Sequence, residues 1–271
     1  MNALDFPVDN YMTQPVVTMP ADDDVSSADA LLAKHRVSSL LVVGRDGKAA
    51  GVISRMDLLR LGRVRAWNRV ERPLLELPAA CVADAMSHPV VSVRPGATVA
   101  EASRAMLARH IHRVFVVDDG RPVGVLSTRD VMMAVMEAKI AGALSTIMTP
   151  EVLSIDVGQT LEGAMARLAQ TSVGGLVVTE DDKPVGLFTQ VEALASRGLP
   201  PETRVEEAMT QALLCLPDDT VLYRAAGFTV STHARRIIVV HHHTMKGVVT
   251  GFDFVRLAAG ATPPKRDAAQ S

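Results

Sequence analysis

The sequence states one sentence four times. In its fullest copy, HIHRVFVVDDGRPVGVLSTRD from His110 to Asp130, two apolar runs flank a polar turn of Asp118, Asp119, Gly120, Arg121 and Pro122, which reads as strand, turn, strand. Ser127 then stands three residues before Asp130, the spacing of a helix capping box. The same ending returns as GVISRMD from Gly51, GLFTQVE from Gly186 and GVVTGFD from Gly247. A second mark, a methionine before a hydroxyl residue, falls at Met12, Met86, Met148 and Met209, spaced 74, 62 and 61 residues. The motif glycines Gly51, Gly124, Gly186 and Gly247 are spaced 73, 62 and 61, so the two ladders drift together. Six residues after each Met a small residue closes an extended run: Thr18, Ser92, Ser154 and Cys215. A period of this kind means a tandem array of small units that bury their apolar faces on one another.

Within each copy the order is strand, helix, strand, strand, helix, which sets the class as α/β (α+β). The first copy reads as an extended 16–19, a helix from about Val25 with the stripe Val25, Ala28, Leu31 and Leu32, strands near 40–43 and 52–54, and a helix through Leu61. The second repeats the stripe as Val99, Ala102, Ala105 and Met106, opened by Thr98 and Glu101 as another capping box. The copies are expected at 8–62, 82–140, 144–199 and 204–260, with an insertion at 63–81 and a tail at 261–271 that lacks periodicity and is expected to be disordered. Each unit has too little core to stand alone, so the first is expected to pack on the second and the third on the fourth, as two pseudo-two-fold pairs.

The core must be aliphatic, because 48% of the residues are hydrophobic and only 3% aromatic. A net charge of -2 supplies no global field for nucleic acid or an anionic membrane. Cys81 and Cys215 are too few for a disulfide framework and are expected to be small buried hydrophobes. No run approaches the roughly 20 apolar residues of a membrane span and none resembles a signal peptide, so the reading is a soluble, cytoplasmic protein. The insertion carries Trp67 and, with its flanks, Arg55, Arg60, Arg63, Arg65, Arg69 and Arg72. It reads first as a solvated helix face, with a docking patch for an acidic partner as the alternative.

A unit ending in G-h-x-[ST]-x-x-D, with h apolar, preceded by strand-turn-strand and by M-[TS] further upstream, resembles the CBS domain, named for cystathionine beta-synthase, over nearly the whole chain. Four copies in one chain is similar to the gamma subunit of AMP-activated protein kinase. The resemblance implies paired copies (Bateman modules) that sense adenosine-containing ligands of the AMP, ADP or ATP class, with S-adenosylmethionine or a cyclic dinucleotide as other choices. It also implies a non-catalytic role with no required cofactor. His112 and Arg113 look like that subunit's phosphate-contacting pair.

The chemistry can be argued without the family. Free N–H groups and the dipole at a helix N-terminus stabilise an anion, and a Ser or Thr hydroxyl adds a donor. A first-turn carboxylate can accept from a ribose diol, and a slot lined with Val and Ile can hold adenine. Helix capping alone explains the same hydroxyl and acid. It does not explain the cations at the strand heads, His112 and Arg113 in the second copy and Arg235 and Arg236 in the fourth, where the first and third carry Ser38, Ser39 and Gly174, Gly175. One member of each pair is therefore read as supplying cations and the other as supplying room. Candidate binding residues are Ser92, His112, Arg113, Ser127 and Asp130 in the second copy, Thr18, Ser54 and Asp57 in the first, and Arg235, Arg236, Thr250 and Asp253 in the fourth, where Cys215 replaces a hydroxyl. The third copy, with Glu192 and no cation of its own, is expected to be empty. His241, His242 and His243 read as a surface turn. No nucleophile elbow, P-loop or G-x-G-x-x-G is present. The expectation is a regulatory sensor acting on a separate effector protein, with a homodimer as one way of assembling. The alternative is a scaffold or assembly subunit with degenerate sites.

Overall fold

The computed structural model describes residues 4–66, 74–171, 173–242 and 244–262. Trp67, Arg69, Arg72, His243 and the segment 263–271 lie outside the described residues, as does the side chain of Arg65. The first copy comprises β1 (Thr18–Pro20), α1 (Val25–Lys34), β2 (Ser39–Val43), β3 (Ala49–Ser54) and α2 (Arg55–Leu61). The insertion contributes β4 (Arg63–Ala66) and β5 (Leu74–Glu76), and a short α3 (Val82–Ala85) leads to the second copy. That copy holds β6 (Ser92–Val93), α4 (Val99–Arg109), β7 (Arg113–Asp118), β8 (Arg121–Ser127) and α5 (Thr128–Glu137). The third follows as β9 (Thr149–Pro150), β10 (Ser154–Asp156), α6 (Leu161–Gln170), β11 (Gly175–Glu180), β12 (Lys183–Thr189) and α7 (Gln190–Ala195). The fourth is β13 (Leu214–Pro217), α8 (Leu222–Thr232), β14 (Arg236–His241), β15 (Thr244–Thr250) and α9 (Gly251–Ala259).

In each copy the first strand runs parallel to the second and the second antiparallel to the third, as in β1-β2-β3 and β6-β7-β8. The parallel step needs a crossover, and the first helix supplies it. Its apolar stripe packs on the sheet: Val25, Ala28 and Leu32 are fully buried in α1, and Val99, Ala102 and Met106 in α4.

The two ladders of sequence marks have one cause. The segment leading into each copy lies on that copy's pair partner, not on its own. Met12 leads the first copy but seats against Gly124 of the second, and Met86 leads the second but seats against Gly51 of the first. The later pair repeats the exchange, Met148 against Gly247 and Met209 against Gly186. A Cβ on any of these glycines would fall inside van der Waals contact of the methionine sulfur. The backbone follows, with bridges Thr13↔Val125, Val52↔Ser87 and Leu187↔Thr210 and β9 adding an edge strand to β15. The leaders also close the first helices: Val8 N–H donates to Ala97 O at 2.8 Å, Val82 to Asp23, Leu144 to Thr220 and Val205 to Gln159. First with second and third with fourth are thus the pairs, knitted by reciprocal arms.

Contact between the pairs is uneven. α4 and α5 of the second copy pack on α8 and α9 of the fourth, and their side chains merge into one hydrophobic cluster that includes Met106, Val131, Ala134, Leu222, Ala226 and Phe254. The first and third copies keep separate clusters, with α2 passing α7.

Two expectations need correction. The insertion is not a helix at its described ends but an antiparallel hairpin of β4 and β5, in register Arg63↔Glu76 and Val64↔Leu75. Its sequence RVRA alternates with period two, and Pro73 opposes a helix. Both cysteines are exposed, Cys81 before α3 and Cys215 on the edge strand β13. Edge position, not residue type, decides their burial.

Candidate functional site

All four motifs form capping boxes. In α5, Asp130 Oδ2 accepts from Ser127 N–H and Oγ–H, each at 2.7 Å. In α9, Asp253 Oδ2 accepts from Thr250 N–H at 2.7 Å and Oγ1–H at 2.8 Å. Ser54 with Asp57 and Thr189 with Glu192 repeat the arrangement. One carboxylate oxygen is thereby committed in every copy. The second oxygen separates them, because Asp253 Oδ1 takes Arg256 Nη1 at 2.7 Å and Asp57 Oδ1 lies 3.8 Å from Arg60, whereas among the described hydrogen bonds Asp130 uses Oδ2 alone. Burial pushes the Asp130 carboxyl above the usual range, against the opposing pull of the Ser127 hydrogen bonds and of Arg129 and Arg113. Asp253 is raised by burial as well, opposed by Thr250 and Arg256.

The sheet ladder explains why the cations belong with these caps. Arg113 stands opposite Ser127 and Arg236 opposite Thr250 across antiparallel pairs, so a residue at the head of the second strand abuts the cap at the end of the third. The partner copies place Ser39 opposite Ser54 and Gly175 opposite Thr189. Arg113 crosses the pair boundary and donates from Nη1 to Ser39 Oγ and from Nη2 to Ser38 Oγ, both at 2.7 Å. The serines therefore receive the guanidinium instead of leaving room, which corrects the expectation from sequence. Arg236 makes the equivalent crossing onto glycines: a Cβ on Gly175 would collide with Nη1, and one on Gly174 would lie 3.0 Å from Nη2. Burial lowers the Arg236 pKa, and Glu192 of the third copy opposes that shift from the far side of the boundary. The third copy thus does have a cation beside it, contrary to expectation, lent by the fourth.

From the strand heads the charges run to the centre where copies meet. His112 contacts Phe252 of α9 edge to face at 5.5 Å, and its pKa is lowered first by desolvation and then by Arg113 and Arg236. Arg55, the first residue of α2, is lowered by burial and by Arg235 of the fourth copy. Arg129 Nη1 donates to His233 Nδ1 at 2.6 Å, joining the second copy to the fourth. Opposite it the helix starts touch, since a Cβ on Gly251 would lie 2.9 Å from Thr128 Oγ1. Four arginines from three copies, Arg55, Arg113, Arg235 and Arg236, are brought together with His112 and the N-terminal ends of the capped helices, which is chemistry suited to a multiply charged anion.

Other predicted residues lie apart from this cluster. Thr18 and Ser92 are exposed on the edge strands β1 and β6, level with Leu41 and Phe115, two residues beyond the strand heads. Cys215 occupies the same level in β13, opposite Ile238. His241 and His242 are exposed at the β14–β15 turn, with His241 Nδ1 3.0 Å from Asp218. Arg55 and Arg129 were not among the site residues read from the sequence, and Glu192 was read there only as a mark of an empty copy. A signal existed for the two arginines: a cation in a helix's first turn opposes the dipole, so its presence there needs an anion or a partner to offset it.

Comparison with known proteins adds to this geometry. A profile of the CBS domain matches residues 8–63, 82–137 and 144–196, more than half of the chain. The uncharacterized protein MJ1404 of Methanocaldococcus jannaschii is 26% identical over 278 residues, which covers 94% of this chain and 62% of that protein's length. Among solved structures, MJ1225 from the same organism, proposed as an archaeal homolog of g-AMPK, superposes with a TM-score of 0.72 at 18% identity, covering 93% of this chain and 99% of its own. An uncharacterized conserved protein from Pyrococcus horikoshii does so with a TM-score of 0.68 at 21% identity over 93% and 100% of the two chains. Among the described residues no helix is long and apolar enough to cross a membrane.

Proposed function

We propose, from the premise that this chain belongs to the CBS-domain family, that it is a regulatory, non-catalytic sensor of adenosine-containing ligands. Ligands of the AMP, ADP or ATP class enter between paired copies, and a change of shape passes to a separate effector protein. One observation carries the reading: Arg55, Arg113, Arg235 and Arg236 converge beside His112, and burial first, then like charge, lowers the pKa values of Arg55, His112 and Arg236. Assembling such a cluster is unfavourable unless an anion neutralises it. In this reading the second copy supplies His112 and Arg113 to phosphate and Asp130 Oδ1 to a ribose hydroxyl, with Ser127 beside them and Ser92 further along, on the edge strand level with Phe115. Thr18, Ser54 and Asp57 serve the first copy, and Arg235, Arg236, Thr250 and Asp253 the fourth.

The cluster ranks the ligands. Polyphosphates gain most from it, AMP less and adenosine least, while S-adenosylmethionine, with a cationic sulfonium and no phosphate, is disfavoured. A thermal-shift panel of adenosine, AMP, ADP, ATP, S-adenosylmethionine and a cyclic dinucleotide tests this. A ligand at about 100 times its Kd adds about 2.7 kcal/mol, or roughly 5–10 °C in midpoint for a chain of this size. No shift with any phosphate ligand rejects the sensor.

The second reading, an assembly subunit with degenerate sites, is favoured by the hydrogen bonds that Arg113 already makes to Ser38 and Ser39. It predicts a flat panel together with a loss of stability when Arg113 is removed.

A further inference from the structure

The contact between the two pairs is closed along one side and open along the other, and the sequence specifies the difference. In α4 the two helix positions that face the opposite pair carry Ala100 and Ser103, both buried, and in α8 they carry half-buried Tyr223 and buried Ala226. The equivalent positions of α1 and α6 carry Ser26 and Asp29, and Glu162 and Met165, exposed or half-buried. Small buried residues such as Ala100, Ser103 and Ala226 let helices approach and exclude water, whereas Asp29 and Glu162 at the matching positions favour a solvated gap. The second and fourth copies accordingly share one hydrophobic cluster, while the first and third retain one each.

Across the open side a polar clip stands where α2 passes α7. Arg197, two residues after α7, donates from Nη2 to Leu59 O and, at 3.0 Å, to Gly62 O, while Nε donates to Leu194 O at 3.2 Å. These acceptors are the last carbonyls of α2 and its cap, which have no intrahelical donors and carry the negative end of the dipole. The guanidinium thus holds the end of the helix whose first residue is Arg55, the cation that faces Arg235 across the centre.

We propose that the two pairs are hinged: the helical seam between the second and fourth copies is the pivot, and Arg197 is the latch that holds the first and third copies together. A hydrophobic seam resists separation in proportion to its area, whereas a hydrogen-bonded clip at a solvated edge exchanges readily with water. Opening therefore occurs at the latch and moves Arg55 relative to Arg235. The hinge gives the proposed sensor a moving part, but it stands on the packing of the two pairs and the Arg197 hydrogen bonds and does not depend on nucleotide binding.

Spin labels test it in the full-length chain without ligand, in a Cys81→Ser, Cys215→Ser background. One pair, Ser27→Cys on α1 with Ala166→Cys on α6, spans the open side; a second, Arg104→Cys on α4 with Arg224→Cys on α8, spans the seam, and all four positions are exposed. Arg197→Ala is expected to lengthen and broaden the 27–166 distance distribution while leaving the 104–224 distribution unchanged. An unchanged 27–166 distribution overturns the latch, and an equal change in both overturns the pivot. Arg197→Lys, which keeps the charge but loses the fork, carries the same test if the alanine variant does not fold. Because no nucleotide is added, a flat ligand panel leaves this result standing and a failed latch leaves the panel standing.

Discussion

Arg113 is where a structural role and a sensing role can be pulled apart. Its two hydrogen bonds to Ser39 and Ser38 span the first pair at 2.7 Å each. A hydrogen bond with one charged member contributes about 1.5–3 kcal/mol, and a buried polar group left without its partner costs about 1–3 kcal/mol. Ser38 is exposed and regains water when the guanidinium is removed, but Ser39, at 9% exposure, does not. Arg113→Ala is therefore expected to lower stability by about 2–4 kcal/mol, which for a chain of this size is roughly 5–15 °C in midpoint. Arg113→Lys, with one compact ammonium in place of a fork, keeps one of the two bonds and is expected near half that loss. Chemical denaturation of the three proteins measures this. An unchanged midpoint in Arg113→Ala refutes the view that the guanidinium fastens the first copy to the second. The sensing role is read separately by isothermal titration of the folded variant: ATP affinity is expected to fall about ten-fold to one hundred-fold, the equivalent of a charged hydrogen bond, and adenosine affinity much less. Added salt is expected to narrow the ATP loss. Equal losses for adenosine and ATP leave Arg113 as a structural clamp and remove the main support for phosphate sensing.

Three further outcomes follow from the packing and charge. Gly51→Ala drives a methyl into Met86 of the partner arm and is expected to cost about 1–3 kcal/mol; in a double-mutant cycle with Met86→Ala the two losses are expected not to add, and strict additivity refutes the exchanged arm. Ser103 Oγ is buried without a hydrogen-bond partner among the described residues, in the seam between α4 and the fourth copy, so Ser103→Ala is expected to raise stability by about 1 kcal/mol, and a lowered urea midpoint counts against a dry seam. Asp130 is raised by burial above its unfolded value, so the folded state binds its proton more tightly and stability from this group falls as pH rises through the interval between the two values. Parent minus Asp130→Asn stability is accordingly expected to increase on acidification from pH 7 through the folded pKa, and a difference flat from pH 7 to 4 shows that the carboxylate is not desolvated.

Local rules made most of the fold legible. Strand-turn-strand spacing, the hydroxyl three residues before an acid, and a stripe such as Val99, Ala102 and Met106 are each decided by a few neighbouring residues, and the capping boxes at Ser54, Ser127, Thr189 and Thr250 form as their spacing requires. The insertion misled because Trp67, the arginines and a missing repeat drew attention to charge, when alternation in RVRA and the placement of Pro73 carried the structural information. The seam between the second and fourth copies could not be read in the same way, since Ala100 and Ala226 are as compatible with solvent as with a tight helix contact. Only comparison with Ser26 and Glu162 at matching positions shows a choice.

The site was half legible for a related reason. A capping box and an anion site use the same hydroxyl, the same first-turn amides and the same carboxylate, so the motif by itself cannot separate helix stability from ligand binding. What separates them is the oxygen left over: Asp253 spends its second oxygen on Arg256, while the described hydrogen bonds of Asp130 spend only one. The cations follow the same logic across the pair boundary. Ser38, Ser39, Gly174 and Gly175 looked like vacant space when each copy was read alone, but a small residue opposite an arginine is a seat, and the seat is visible only once the two copies face each other. A repeat sequence records what each unit needs to fold in every copy; what a pair needs to bind is recorded in the differences between copies, and Arg55 and Arg129 were hidden in those differences.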